Sequence, residues 1–165
     1  MSGFDIRPER PEDAADIGAL LDAAFGGETE SQVVERLRAD NDFVLSLVAG
    51  GDAGIAGYVG FPRLTLQLDR RQVPAVGLAP AAVSPPLQRN GIGSAIVRDG
   101  LDRLKASGEC LVFVLGDPAY YRRFGFTVMD GFVSRYAGPY FQALMLMPDA
   151  PKAGRVSYPQ AFDGL

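Results

Sequence analysis

The chain has 165 residues, 47 % hydrophobic and 22 % charged, which suits a single folded domain over residues 1–165 with a sizeable core. Its 20 acidic residues outnumber 16 basic ones for a net charge of −4, which argues against nucleic acid as a partner, since phosphate contacts need a basic face. There is no histidine and only one cysteine, Cys110, so Ser-His and Cys-His nucleophile pairs, histidine metal sites, a cysteine zinc cluster and an internal disulfide are all excluded.

Residues 4–7 read as a first strand, in a charged N-terminal stretch without the apolar run of a signal peptide. Pro11, Glu12 and Asp13 open a helix whose apolar face is Ile17, Leu20, Leu21, Ala24 and Phe25, and Gly26-Gly27 ends it. Thr29 followed by Gln32 is a capping-box pattern, predicting a second helix with Val33, Val34 and Leu37 on one side. Residues 43–49 and 55–68 predict a hairpin around Gly50-Gly51-Asp52. Residues 73–83 form a further strand, irregular where Pro74 and Pro80 lack an N–H. Residues 94–105 predict a helix with Ile96, Val97, Gly100, Leu101 and Leu104 in a stripe. Residues 110–115 are a buried strand, Asp117-Pro118 caps a short helix that Gly125 stops, and residues 126–129 and 140–147 are strands. The tail from Gly154 is apolar enough, at Val156, Tyr158 and Phe162, to pack on the body. The longest uncharged run, residues 72–88, holds four prolines and is no membrane helix, so the expectation is a cytoplasmic protein with no membrane partner.

The stretch Gln88-Arg89-Asn90-Gly91-Ile92-Gly93-Ser94 carries two glycines at a helix start, where each weakens the helix by roughly 1 kcal/mol relative to alanine. Unpaired N–H groups and the helix dipole make such an end an anion site, and glycine lets an anion come close. The reading is a pyrophosphate cradle with Arg89 beside it; the bland alternative is a tight packing turn. No lysine supports a Walker A loop, and Ile96 stands where a dinucleotide fingerprint needs Gly or Ala.

A second motif lies one helix and one strand downstream: Gly116 to Phe126, GDPAYYRRFGF. Together the two resemble the GCN5-related N-acetyltransferase (GNAT) family. Gln88 to Gly93 matches that family's Gln/Arg-x-x-Gly-x-Gly/Ala loop, and Tyr121 to Phe126 its Tyr-x-x-x-Gly-Phe. GDPAYYRRFGF looks especially like a branch of uncharacterised bacterial members. The resemblance implies an α/β (α+β mixed) fold: a splayed, mostly antiparallel mixed sheet flanked by helices on both faces, with acetyl-CoA as co-substrate in the split. It implies a bulge near Ala79 to Val83, backbone contacts to the acetyl and pantetheine groups from Ala81, Ala82 and Val83, and pyrophosphate contacts from Gln88, Arg89, Asn90, Gly91, Ile92, Gly93 and Ser94. No metal is implied, and a homodimer is left open.

In the reaction so implied, an amine attacks the acetyl thioester and CoA leaves as a thiolate. Without histidine, proton donors and acceptors come from Tyr, Asp, Glu, Lys, Cys or water, and a phenol with a pKa of about 10 is close enough to a thiol to donate. The family register points to Tyr121 as the general acid, whereas helical periodicity alone does not separate it from Tyr120. The carboxylate base that many members carry on the fourth strand has no counterpart in residues 72–88. Glu28 and Glu30, in the loop between the first two helices, are candidates to reach a substrate cleft, although solvated helix-start acids are the simpler reading; a water relay is the other option. Arg122 and Arg123 are candidates for the 3′-phosphate, and Arg135, Tyr136 and Tyr140 for the acceptor cleft, each against the simpler reading of packing or solvated surface. Cys110 reads as inert core. The competing classes are a non-catalytic acyl-CoA-binding or sensing module and an unrelated phosphate-ligand or structural domain.

Overall fold

The computed structural model describes residues 4–165; Met1, Ser2 and Gly3, part of the expected domain, lie outside the described residues. Strand β1 (Asp5–Pro8) leads through a 3-10 turn into α1 (Ala14–Phe25) and α2 (Thr29–Ala39). The hairpin β2 (Phe43–Gly51) and β3 (Gly54–Gln67) closes at Gly51 opposite Gly54. Then follow β4 (Gln72–Leu78), β5 (Ala81–Val83), α3 (Ile92–Ala106), β6 (Leu111–Leu115), α4 (Pro118–Tyr121), β7 (Phe132–Val133), β8 (Phe141–Met145) and β9 (Gly154–Ser157).

The sheet runs β1-β2-β3-β4-β6-β8, with β5 and β9 also pairing β3, and β7 pairing β9. Pairing is antiparallel except for β4 with β6 and β7 with β9. Strand alternation assigns the two faces. Leu47, Ala49, Val59 and Phe61 pack under α3, with Ile96, Val97, Leu101 and Leu104. Val48 and Tyr58, the intervening residues, pack under Ile17, Leu20, Leu21 and Val34 of α1 and α2. Helices thus flank both faces of a mostly antiparallel mixed sheet. Gly100 sets how close α3 lies, because a Cβ there would stand 2.4 Å from the Phe61 ring. No helix among the described residues is long and apolar enough to cross a membrane.

Three expectations are corrected, and the tail's expected packing is extended. The Thr29 capping box does not form: Glu28 holds the N-cap position and Thr29 is already helical. The join is secured instead by Ser31, whose hydroxyl donates to Asp22 Oδ1 at 2.6 Å and lies 3.0 Å from the Glu28 carbonyl, tying α2 to α1. The strand read over residues 73–83 is two strands, because the chain leaves β4 at Leu78 and re-pairs as β5 with β3 alone. Residues 126–129 make only an isolated bridge, Thr127 to Ala143. The tail does more than pack: β9 extends the sheet beside Thr65, Leu66 and Gln67.

Candidate active site

The split between β4 and β5 opens the sheet. β4 and β6 run parallel as far as Leu78 opposite Val114, and beyond that point β5 turns away to β3. The turn is a β-bulge: the Gly60 carbonyl accepts from Ala79 N–H at 3.0 Å while the Gly60 N–H donates to the Pro80 carbonyl at 3.0 Å, two residues against one. A Cβ on Gly60 would approach the Ala79 carbonyl to 3.0 Å and Phe43 to 2.8 Å, so the bulge needs glycine there. The Pro80 carbonyl and the Ser84 N–H, which donates to Ala56 at 2.8 Å, both face β3. By the alternation of an antiparallel ladder, the N–H and C=O groups of Ala81 and Val83 face the opening. Val83 C=O already accepts the Gln88 side-chain amide at 3.1 Å, which fastens the following loop to β5. Ala82, in register with Tyr58, lines the same groove.

The two loop glycines have different reasons. Gly91 caps α3 with φ at +82°, and a Cβ there would meet nothing within 4 Å, so its need is purely conformational. A Cβ on Gly93 would look into the groove, 3.4 Å from Val83 and 3.6 Å from the Tyr120 hydroxyl. The first intrahelical bond is from Ala95 N–H to the Gly91 carbonyl at 3.0 Å, so the N–H groups at Ile92, Gly93 and Ser94 have no helical acceptor. The Ile92 side chain points the other way and is buried in the core. Arg89 is exposed and, unusually for a non-glycine, has φ at +67°; Asn90 donates to the Leu87 carbonyl at 3.2 Å and steadies the turn. Ser94 Oγ lies 3.0 Å from the Tyr120 hydroxyl and 3.5 Å from Arg123 Nη1, and the Arg123 guanidinium stacks 4.1 Å above the Tyr120 ring. Arg123 therefore stands beside the N-terminus of α3, while Arg122 is exposed in the 3-10 turn that follows α4.

Two cavities of about 300 Å³ each meet at this opening. One is bounded by β5, Gln88, Gly93, Val97 and Tyr120. The other is bounded by Glu30, Val33, Leu78, Leu115 and Phe162. Phe25, Ala81 and Tyr121 border both and form the junction.

The separation of Tyr121 from Tyr120, which helical spacing left open, is geometric. The Tyr121 ring packs against Gly116, just past β6, where a Cβ would come within 2.5 Å of it, and stands edge-on to Phe126 at 5.8 Å. Burial, with the Tyr120 phenol adding to it, pushes the Tyr121 phenol up to about 12, and no hydrogen bond offsets the shift. This corrects the expectation of an ordinary phenol near 10. Tyr120 by contrast is engaged by Ser94.

Of the other candidates, Glu30 is half-buried in the wall of the second cavity and Glu28 is exposed outside it. Arg135 donates to the Phe162 carbonyl and to Tyr136, Tyr136 packs edge-on to Tyr158, and Tyr140 is exposed; none of the three borders either cavity. Cys110 is half-buried, and burial pushes its thiol up, which makes it a poor nucleophile. Phe25, Leu115 and Phe162 are cavity walls that the sequence presents as core residues.

Comparison with known proteins gives the same picture. The family described as "Acetyltransferase (GNAT) domain" matches residues 5–129. The chain is 38 % identical over 165 residues to the uncharacterized N-acetyltransferase YhbS of Escherichia coli K12, covering 96 % of this chain and 98 % of that protein. The crystal structure of E. coli YhbS in complex with CoA superposes with a TM-score of 0.90 at 36 % identity, covering 97 % of this chain and 92 % of that one. A GNAT family acetyltransferase from Brucella melitensis, in complex with acetyl-CoA, superposes with a TM-score of 0.84 at 37 % identity, covering 99 % of this chain and all of that one, 100 %.

Proposed function

This chain belongs to the GNAT acetyltransferase family, and from that premise we propose that it is a one-domain, cytoplasmic N-acetyltransferase that moves the acetyl group of acetyl-CoA directly onto a primary amine. The motif Gly116 to Phe126 further supports assigning it to the bacterial branch that includes YhbS. The observation that carries the activity is the junction itself: the two cavities share Phe25, Ala81 and Tyr121, and of these Tyr121 brings a phenol without a protein hydrogen-bond partner among the described residues. One cavity takes the pantetheine arm and the other the amine.

Several features support the fit of acetyl-CoA. The outward N–H and C=O of Ala81 and the N–H of Val83 are strand-edge groups suited to the pantetheine amides, with the Val83 carbonyl held by Gln88 and Ala82 supplying wall. The free N–H groups from Ile92 to Ser94 suit the pyrophosphate. Gln88 and Asn90 hold the loop in shape, Gly91 supplies its turn, and Arg89 and Arg123 add positive charge at its mouth. In the transfer, the amine nitrogen bonds to the acetyl carbon as the C–S bond breaks; the sulfur gains a proton and the nitrogen loses one. Tyr121 donates its hydrogen to the leaving sulfur and acts as general acid. Water relays the amine's proton, since β4 and β5 carry no carboxylate.

That missing carboxylate is also what favours a second reading, an acyl-CoA-binding or sensing module without chemistry. Amine-dependent release of free thiol from acetyl-CoA separates the two. Gly93→Val tests the groove common to both. A branched side chain there fills the space toward Val83 and Tyr120, and acetyl-CoA affinity is expected to fall at least about tenfold, or 1.4 kcal/mol. Unchanged affinity by calorimetry, in a variant with unaltered circular dichroism, would sink the cradle assignment.

A further inference from the structure

We infer that the acceptor is a small monoamine carried on an apolar body, and that Glu30 is the residue that selects it. The inference rests on the transfer reading above and adds what the second cavity recognises. Its walls are mainly apolar, with Phe25, Val33, Leu78, Leu115 and Phe162 delivered by α1, α2, β4, β6 and the last turn of the chain, and Thr29 and Leu165 also line it. No lysine or arginine borders it, and its ionisable side chains are Glu30 and the Tyr121 phenol.

Glu30, like Glu28 and Glu35 beside it, enters no ion pair among the described residues; what sets it apart is its place in the cavity wall. An acid in the first turn of α2 is explained in part by the helix dipole, but that function is served equally by an exposed side chain. Glu30 is instead half-buried against apolar surface at the cavity wall, where a carboxylate attracts a cation more strongly than in open water.

Charge and shape together narrow the ligand. An ammonium meets Glu30, and the rest of the molecule meets hydrocarbon. A carboxylate on the acceptor would face Glu30 with no cation to offset it. A second ammonium would find no second acidic side chain on a largely apolar lining, which carries a desolvation cost. Amino acids, acidic peptides and polyamines are disfavoured on these grounds. A cavity of about 300 Å³ is at the small end of ligand sites, which favours a free amine over a folded protein's surface. The balance of the reaction is unchanged: ammonium and acetyl thioester give amide, free thiol and one proton released to solvent.

The test is calorimetric titration, with and without CoA, using 2-phenylethylamine, putrescine and 3-phenylpropanoate. Phenylethylamine is expected to bind at least about tenfold more tightly than putrescine, with no detectable binding of phenylpropanoate. Glu30→Gln should weaken phenylethylamine at least about tenfold while CoA affinity, which reports an intact fold, stays as in the wild type. Equal binding of the probes, tighter binding of the diamine or the anion, or an unaffected Glu30→Gln variant overturns the inference. Thiol release from acetyl-CoA is followed in parallel. Selective, Glu30-dependent binding without release upholds the selection and refutes the transfer reading. Release driven better by a lysine-containing peptide than by phenylethylamine refutes the small-amine class.

Discussion

Replacing Tyr121 by phenylalanine is expected to slow acetyl transfer by about 10²–10⁴, the usual loss for a positioned acid, which is roughly 3–5 kcal/mol of transition-state stabilisation. Phenylalanine keeps the ring that packs on Gly116 and against Phe126, and removes only the oxygen. Acetyl-CoA affinity should hold within about twofold, because the groups proposed to bind it in the ground state are mostly backbone. A phenol near 12 also constrains how the acid works. It lies roughly 3.5 pKa units above a thiol, so complete transfer to a settled thiolate is uphill by about 5 kcal/mol. The useful moment is earlier, while charge develops on sulfur and a donated hydrogen bond lowers the barrier. The wild-type rate should therefore show no alkaline decline from Tyr121 up to about pH 10, since the phenol keeps its proton throughout. Tyr120→Phe is the control and should lose less than about tenfold, because its hydroxyl is spent on Ser94. If Tyr120→Phe carries the larger defect, the donor is Tyr120; if neither variant slows turnover, the thiolate departs without an acid.

Alkaline pH is expected to destabilise the fold steeply, beginning near pH 10. Burial raises the phenols of Tyr58, Tyr121 and Tyr158 above their ordinary value. In the unfolded chain these groups ionise near 10, while the folded chain holds their protons to higher pH. Above pH 10 the folded state therefore binds more protons than the unfolded one, and stability falls as pH rises toward the folded-state values. Below that point the three phenols contribute no slope. Each costs roughly 1.4 kcal/mol per pH unit, so two or three together cost about 3–4, a large share of a typical domain's stability. Urea midpoints from pH 8 to 11 measure it, and absorbance near 295 nm should show Tyr58, Tyr121 and Tyr158 ionising only with unfolding. A midpoint flat to pH 11 would contradict the burial of these rings.

The glycine turn into α3 was legible in the sequence because two glycines at a helix start, paired with the downstream GDPAYYRRFGF, stand out from an ordinary helix start. What sequence could not give was the division of labour, with Gly91 needed for its positive φ and Gly93 for what its missing side chain leaves open. Tyr120 and Tyr121 point within one helical turn of each other, so periodicity had nothing to decide between them. Their surroundings differ through Ser94 and Gly116, partners 26 and 5 positions away. Phe25, Leu115 and Phe162 escaped notice because an apolar residue lining a cavity has the same pattern as one filling a core. β9 was missed for a related reason: its partners on β3 are about ninety residues back, and a four-residue strand beginning at Gly154 carries little alternation.

The fork in the sheet has a bearing on how the protein behaves at high concentration. Two strands that part company leave unpaired backbone between them, and unpaired edges invite strands from other molecules. Here the exposed edge on β5 is only three residues long. It is preceded by Pro80 and followed, after Ser84, by Pro85 and Pro86, none of which has an N–H to continue a ladder. An intruding strand would find too few partners to take hold. The same prolines that interrupt the sheet thus allow the opening to be kept without making it a seed for aggregation.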